Sequence, residues 1–200
     1  MKATIIILAL ILMAPASCSK KGDDGFKPTL PPITQTGENT FGCYANGVLI
    51  TPRDGSGTFN SPDYGLRFVA GPSPENIIYN EILVHDFASE KTASITLHII
   101  DMDSLGIGEY IVNESNCYGN VDSPNTNNVF CRIWVEEENL YKSYCSLPNS
   151  GVITITRYDD CIISGTFSCR AAAFEEPTDI IEITEGRFDI NRCALPGNFP

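Results

Sequence analysis

The side chains best suited to chemistry in this chain are eight cysteines, two histidines, and one hairpin that mixes cations with aromatic rings. The hairpin pairs residues 130–135 with 140–146 across Glu136-Glu137-Glu138-Asn139. A turn centred on Glu138 sets Cys131 opposite Cys145, within reach of a cross-strand disulfide. The same register gathers Arg132, Trp134, Lys142 and Tyr144 on the opposite face, where two rings between two cations would make a platform for a sugar or an anionic ligand. The competing assignment has Trp134 closing the core while the cations run along it to solvent. Residues 113–128 (NESNCYGNVDSPNTNN) show no periodicity, and a stretch of that length is either a functional loop or a plain surface one pinned through Cys117. Tyr118 and its asparagine neighbours are where a loop-borne ligand site would lie.

Catalytic arrangements are harder to assemble. His85-Asp86 and His98 with Asp101 could be dyads, but successive strand residues point to opposite faces, so His85 and Asp86 do not converge. There is no GxSxG elbow, and Ser56 between two glycines is a turn serine. Residues 101–106 resemble the start of a calcium loop, yet Leu105 and Val112 stand where oxygen ligands belong. No CxxC spacing exists, and two histidines do not suggest zinc. The expectation is a non-enzymatic protein with no cofactor and no metal. Beyond Cys18, seven cysteines remain: Cys43, Cys117, Cys131, Cys145, Cys161, Cys169 and Cys193. An exported chain with so many forms disulfides, and an odd number leaves at least one thiol over. Cys161 and Cys169, roughly 26 Å apart on one strand, cannot pair with each other. Cys43 with Cys169 or Cys193 is the pairing expected if the first strand closes against the last ones.

The elements that must position these residues are strands. Residues 151–190 read as three in succession, with Ile153 and Ile155, then Ile163, Gly165, Phe167, Cys169 and Ala171, then Ile181 and Ile183 facing inward. Phe188 and Ile190 fall out of phase, and a β-bulge at Glu185-Gly186, with the glycine left-handed, would restore it. Upstream, Asn46-Gly47 signals a type I′ turn. Short strands follow over 57–60 and 66–70, then a hairpin over 77–87 and 93–101, and a strand over 108–112. The predicted fold is all-β: a single antiparallel β-sandwich or flattened meander barrel of about ten strands, without substantial helix.

The N-terminus sets an address. Lys2, an apolar run from Ile5 to Met13 too short to span a bilayer, and small residues before Cys18 make residues 1–17 a signal peptide. Ala16-Ser17-Cys18 resembles the end of a bacterial lipobox, although Pro15 departs from it. That resemblance implies a diacylglyceryl, N-acylated Cys18 and a partner in the lipid bilayer. Ser19-Lys20-Lys21-Gly22-Asp23-Asp24 resembles the export signal of surface lipoproteins, which implies the outer membrane and display at the cell surface. Residues 18–37, rich in proline and glycine, read as a tether and 38–200 as the domain. Within that domain Thr40–Gly47, Ile163–Phe167 and Ile183–Ile190 resemble a family of uncharacterised Bacteroidota secreted lipoproteins that opens TGxNTFGCxxNG and closes ISGTF…ITxGRFDI. The resemblance implies a secreted all-β lipoprotein and no particular activity. Asp103-Ser104-Leu105 also resembles the short O-glycosylation motif of that group.

Charge narrows the partners. The chain carries 25 acidic against 13 basic residues, and loss of residues 1–17 removes only Lys2. Such a polyanion is repelled by phosphate backbones, so no nucleic-acid partner is expected. The expected function is a lipid-anchored binding module for a glycan or protein ligand in the cell envelope. A structural envelope protein without small ligand, and a hydrolase with a site assembled across strands, are the alternatives.

Overall fold

The computed structural model describes residues 27–58, 60–73, 75–118 and 125–195. The expected signal peptide, Cys18 and the first part of the expected tether lie outside them. In chain order the elements are β1 (Thr40–Ala45), β2 (Val48–Ile50), β3 (Leu66–Pro72), β4 (Ile78–His85), β5 (Ser94–Ile100), α1 (Met102–Leu105), β6 (Gly108–Val112), β7 (Asn128–Val135), β8 (Leu140–Tyr158), β9 (Ile162–Ala173) and β10 (Ile180–Asn191). All ten strands join one antiparallel sheet in the order β2-β1-β10-β9-β8-β7-β5-β4-β3, with β6 also paired to β8. The all-β expectation holds, in the form of one curled sheet rather than two stacked ones.

Period-two alternation explains the curl. Each strand contributes one apolar row to a shared interior, including Phe41, Ile82, Leu97, Ile133, Ile153, Phe167, Ile183 and Phe188. A single sheet can bury such a face only by wrapping around it. The 19-residue β8 is the spine: β9 runs along one edge, while β7 and then β6 share the other. A register shift between Ser146 and Gly151 marks the change of partner, so β8 is continuous where the sequence suggested two strands. Of the strand expected over 57–60, Gly57, Thr58 and Asn60 belong to none; Thr58 and Ser61 make only an isolated bridge beside the left-handed Gly57. The only helix among the described residues is the four-residue α1, stopped where Gly106 N–H donates to the Met102 carbonyl.

Two features bring the sheet round on itself. After β2 the backbone of Arg53 bonds His85 and Phe87 at the end of β4, at 3.1 and 3.0 Å. Its guanidinium clasps Asp86 through two 2.7 Å bonds. The segment before β1 is the other feature, and its last part is docked on the sheet. Asp189 on β10 is only 1% exposed and accepts hydrogen bonds from Thr34 Oγ1, Thr36 N, Gly37 N, Glu38 N and Ser164 Oγ, at 2.7 to 3.2 Å. Leu30 and Pro31 lie across Gly42, where a β-carbon would stand 2.5 Å from Pro31 Cδ. We call residues 30–38 the strap.

The bulge in β10 is present between Ile183 and Gly186. Its left-handed residue, however, is Glu185 (φ 52°), not the glycine. Gly186 is small for another reason: a β-carbon there would meet the Phe167 ring at 2.5 Å. The Asn46-Gly47 turn has both residues at positive φ, as a type I′ hairpin needs.

Candidate functional site

The β7–β8 hairpin fixes which side chains can act together. Its turn closes Val135 on Leu140, with Asn139 in the left-handed conformation that asparagine tolerates. That is one residue tighter than a turn centred on Glu138, and a slip of one residue moves a side chain to the other face. Cys131 therefore faces Tyr144 across the ladder, and Cys145 faces Phe130. The expected Cys131–Cys145 disulfide does not form. Cys145 instead points outward to Cys117, and Cys161 joins Cys193, with Cα separations of 5.4 and 5.2 Å. Cys43, Cys131 and Cys169 are free and buried, so Cys43 pairs with neither Cys169 nor Cys193.

The same slip divides the expected platform. Tyr144 turns inward, 1% exposed, and donates to Asp179 at 3.0 Å; burial and that bond push its hydroxyl up to about 12. Lys142 stands at the rim in a net of carboxylates, Glu138, Asp179 at 2.9 Å and Glu176 at 3.5 Å. The hydrogen bonds it donates to Glu138 and Asp179 hold it charged. Neither is placed to meet a ligand beside Arg132.

Arg132 and Trp134 do share the outer face, and their partner there is Tyr141. The Arg132 guanidinium lies 4.2 Å over the Tyr141 ring, and Trp134 meets that ring edge-on at 5.0 Å. Lys91 sits 5.2 Å from the Trp134 ring while pairing with Glu136. Following the ladder from Arg132 gives a row across the sheet: His85 on β4, Ser94 on β5, Arg132 on β7 and Ser143 on β8 are successive cross-strand partners. Phe174 N–H bonds the Ser143 carbonyl at 2.8 Å and extends the row past β8. Tyr118 meets Phe174 edge-on at 6.1 Å, and both rings are more than half exposed. The sheet thus brings Tyr118 to the same face as Arg132 and Trp134, with the Cys117–Cys145 bond next to it as the pin.

A cavity of about 300 Å³ opens at the β4 end of this row, lined by His85, Phe87, Thr92, Ala93, Ser94 and Arg132. His85 stacks on Phe87 at 4.9 Å. Burial, and then the nearby charge of Arg67, lowers the His85 pKa, so the imidazole is neutral at pH 7. His85, Phe87, Tyr141 and Phe174 were not singled out as a site from sequence. The signal that could have found Tyr141 is parity with Trp134 under the tighter turn. Phe174 had none, because it follows the strand end. A second cavity, about 280 Å³ under Ile33 of the strap, offers Arg187, but that side chain is held by Glu185 and the Pro31 carbonyl.

The other histidine is sealed away. His98 faces Glu81 across β4 and β5, with Nδ1 and Oε1 2.8 Å apart and side chains 4% and 1% exposed. Tyr79 stacks on it at 5.1 Å. Its partner is Glu81, not Asp101, and among the described residues no serine hydroxyl bonds it. An imidazole and carboxylate so closed to solvent can bind each other but cannot reach a substrate.

Comparison with known proteins finds no matching family model, no similar curated protein and no similar solved structure.

Proposed function

We propose that this chain is a lipid-anchored, non-enzymatic binding module of the bacterial cell envelope, and that it holds a glycan chain along its outer row. The observation that carries this reading is the line of rings flanking hydrogen-bonding groups: exposed Phe87 at the cavity, half-buried Trp134 with Tyr141 beside Arg132, and exposed Phe174 with Tyr118 beyond Ser143. Sugar rings lay their C–H faces on aromatic side chains and their hydroxyls on hydroxyl, imidazole and guanidinium groups. From His85 to Phe174 the row crosses four strand spacings, about 19 Å, the reach of several linked rings. A structural role without ligand would need neither a concave mouth nor exposed rings there. Anchorage at Cys18, surface display and the family resemblance belong to the same proposal, supported by the N-terminal sequence and by two disulfides, which persist in oxidising compartments.

The test is a glycan array probed with the mature chain and its Trp134→Ala variant. Binding of particular glycans, weakened at least ten-fold by the variant, is expected. Equal binding by both proteins would move the site elsewhere, and silence across the array would remove the glycan reading.

A further inference from the structure

We infer that the ligand of the outer row is an acidic saccharide, whose carboxylate or sulfate sits between Arg132, His85 and Arg67. This rests on the reading that the row holds a glycan and adds which chemical class it selects. In a chain with nearly two acids per base, cations are expected to be paired. Most arginines are: Arg53 with Asp86, Arg157 with Asp159, Arg187 with Glu185, and Arg192 near Asp103. Among the described residues, Arg67, Arg132 and Arg170 meet no carboxylate within ion-pair distance; Arg170 stands on β9 opposite Glu182, away from the cavity, and the first two concern this site. Both lie on the outer face, on either side of His85. Arg67 stands opposite Leu83 and so diagonal to His85 on β3, and Arg132 stands one strand beyond Ser94 on β7. The cavity opens on the Arg132 side of His85, and the charge of Arg67 reaches His85 from the other side.

Geometry favours an anion over a second ring. The guanidinium of Arg132 stacks 4.2 Å over the Tyr141 ring, and a guanidinium carries the paired N–H donors that bidentate recognition of a carboxylate or sulfate requires. Thr92 and Ser94 hydroxyls on the cavity wall can supply further donors. At this end Asp86 follows His85 directly but is taken up by Arg53, and Glu90 lies in the β4–β5 turn. Glu136 is neutralised by Lys91, Glu176 is drawn to Lys142, and Glu175 follows Phe174 at the far end. A bound chain is therefore oriented, with its acidic group at the β4–β7 end and its neutral rings towards Phe174.

Oligogalacturonate, its neutral methyl ester and a sulfated galactan oligomer of equal length are the probes, titrated calorimetrically into the full mature chain. Binding of oligogalacturonate or of the sulfated oligomer at least ten-fold tighter than the ester is expected, with the margin shrinking at 0.5 M salt; which of the two binds identifies the anion. Arg132→Gln should erase the margin, costing the charged oligomers at least ten-fold more than the ester, whereas Trp134→Ala should weaken all three by similar factors. Equal affinity for charged and neutral oligomers, or an Arg132→Gln loss as large for the ester as for the charged oligomers, overturns the anion assignment and leaves the glycan reading standing. Binding of none of the three to the folded chain overturns the anion assignment too, and a silent glycan array alongside it removes the parent reading.

Discussion

Asp189 shows how one side chain can organise a segment. It is buried on the outer side of β10, yet five donors converge on its two oxygens, four of them from the strap. Burial alone would raise its pKa, but the bonds from Ser164, Thr34, Gly37 and Thr36 outweigh it and hold the group down to about 2. A carboxyl depressed in the folded state stabilises the protein above its unfolded pKa, near 3.8, and loses that contribution as pH falls through about 2. Denaturant unfolding should therefore show stability level above pH 5 and falling by about 1–2 kcal/mol on acidification to pH 2.5, after allowance for solvent screening. Asp189→Asn should be less stable at pH 7 by about 2 kcal/mol, since an amide turns a donor towards donors, and this part of its pH dependence should vanish. An unchanged acid slope in the variant would place the titration elsewhere.

At the scale of elements, the strap is a nine-residue addition docked against the sheet through Asp189 and Gly42. Its contact with β1 depends on Gly42, because any β-carbon there overlaps Pro31. Gly42→Ala should cost about 1–3 kcal/mol and expose residues 30–37 to protease, while the Gly47→Ala change tests turn strain alone and should leave the strap protected. Digestion patterns that do not differ between the two variants would mean the strap is held without Gly42. The strap was hidden in the sequence because proline, threonine and glycine read as a stalk, and its partner Asp189 lies about 150 residues away. The β8–β9–β10 meander was legible, since alternation and turn residues are local signals. The hairpin register was not: Asn139 adopts a left-handed backbone that the run Glu136-Glu137-Glu138-Asn139 permits but does not impose. That single conformational choice moved Cys145, Lys142 and Tyr144 relative to Arg132 and Trp134, and so decided both the disulfide and the candidate site.

For the whole molecule, the eight cysteines divide by environment into three kinds. Cys117–Cys145 and Cys161–Cys193 close loops of 28 and 32 residues, each adding about 3.5 kcal/mol by the chain-entropy account. Both tie an irregular segment to a strand or to its turn, where hydrogen bonding alone is sparse. Cys43, Cys131 and Cys169 sit in the interior, and burial raises all three thiols, Cys169 to about 12, so none presents a thiolate to solvent at pH 7. Cys18 is left, and under the proposed anchorage its sulfur is a thioether. The mature protein should then react with a thiol alkylating agent at no position while folded, and at Cys43, Cys131 and Cys169 after unfolding without reductant. Peptide mapping should recover the 117–145 and 161–193 links. Cys18→Ala should shift the protein from the membrane fraction to the soluble one without changing either link, because under that proposal the lipid holds the chain on the membrane and neither link involves Cys18. A fourth alkylated position at Cys18 in protein taken from membranes would mean that its sulfur carries no lipid, and the chain would need another route to the envelope.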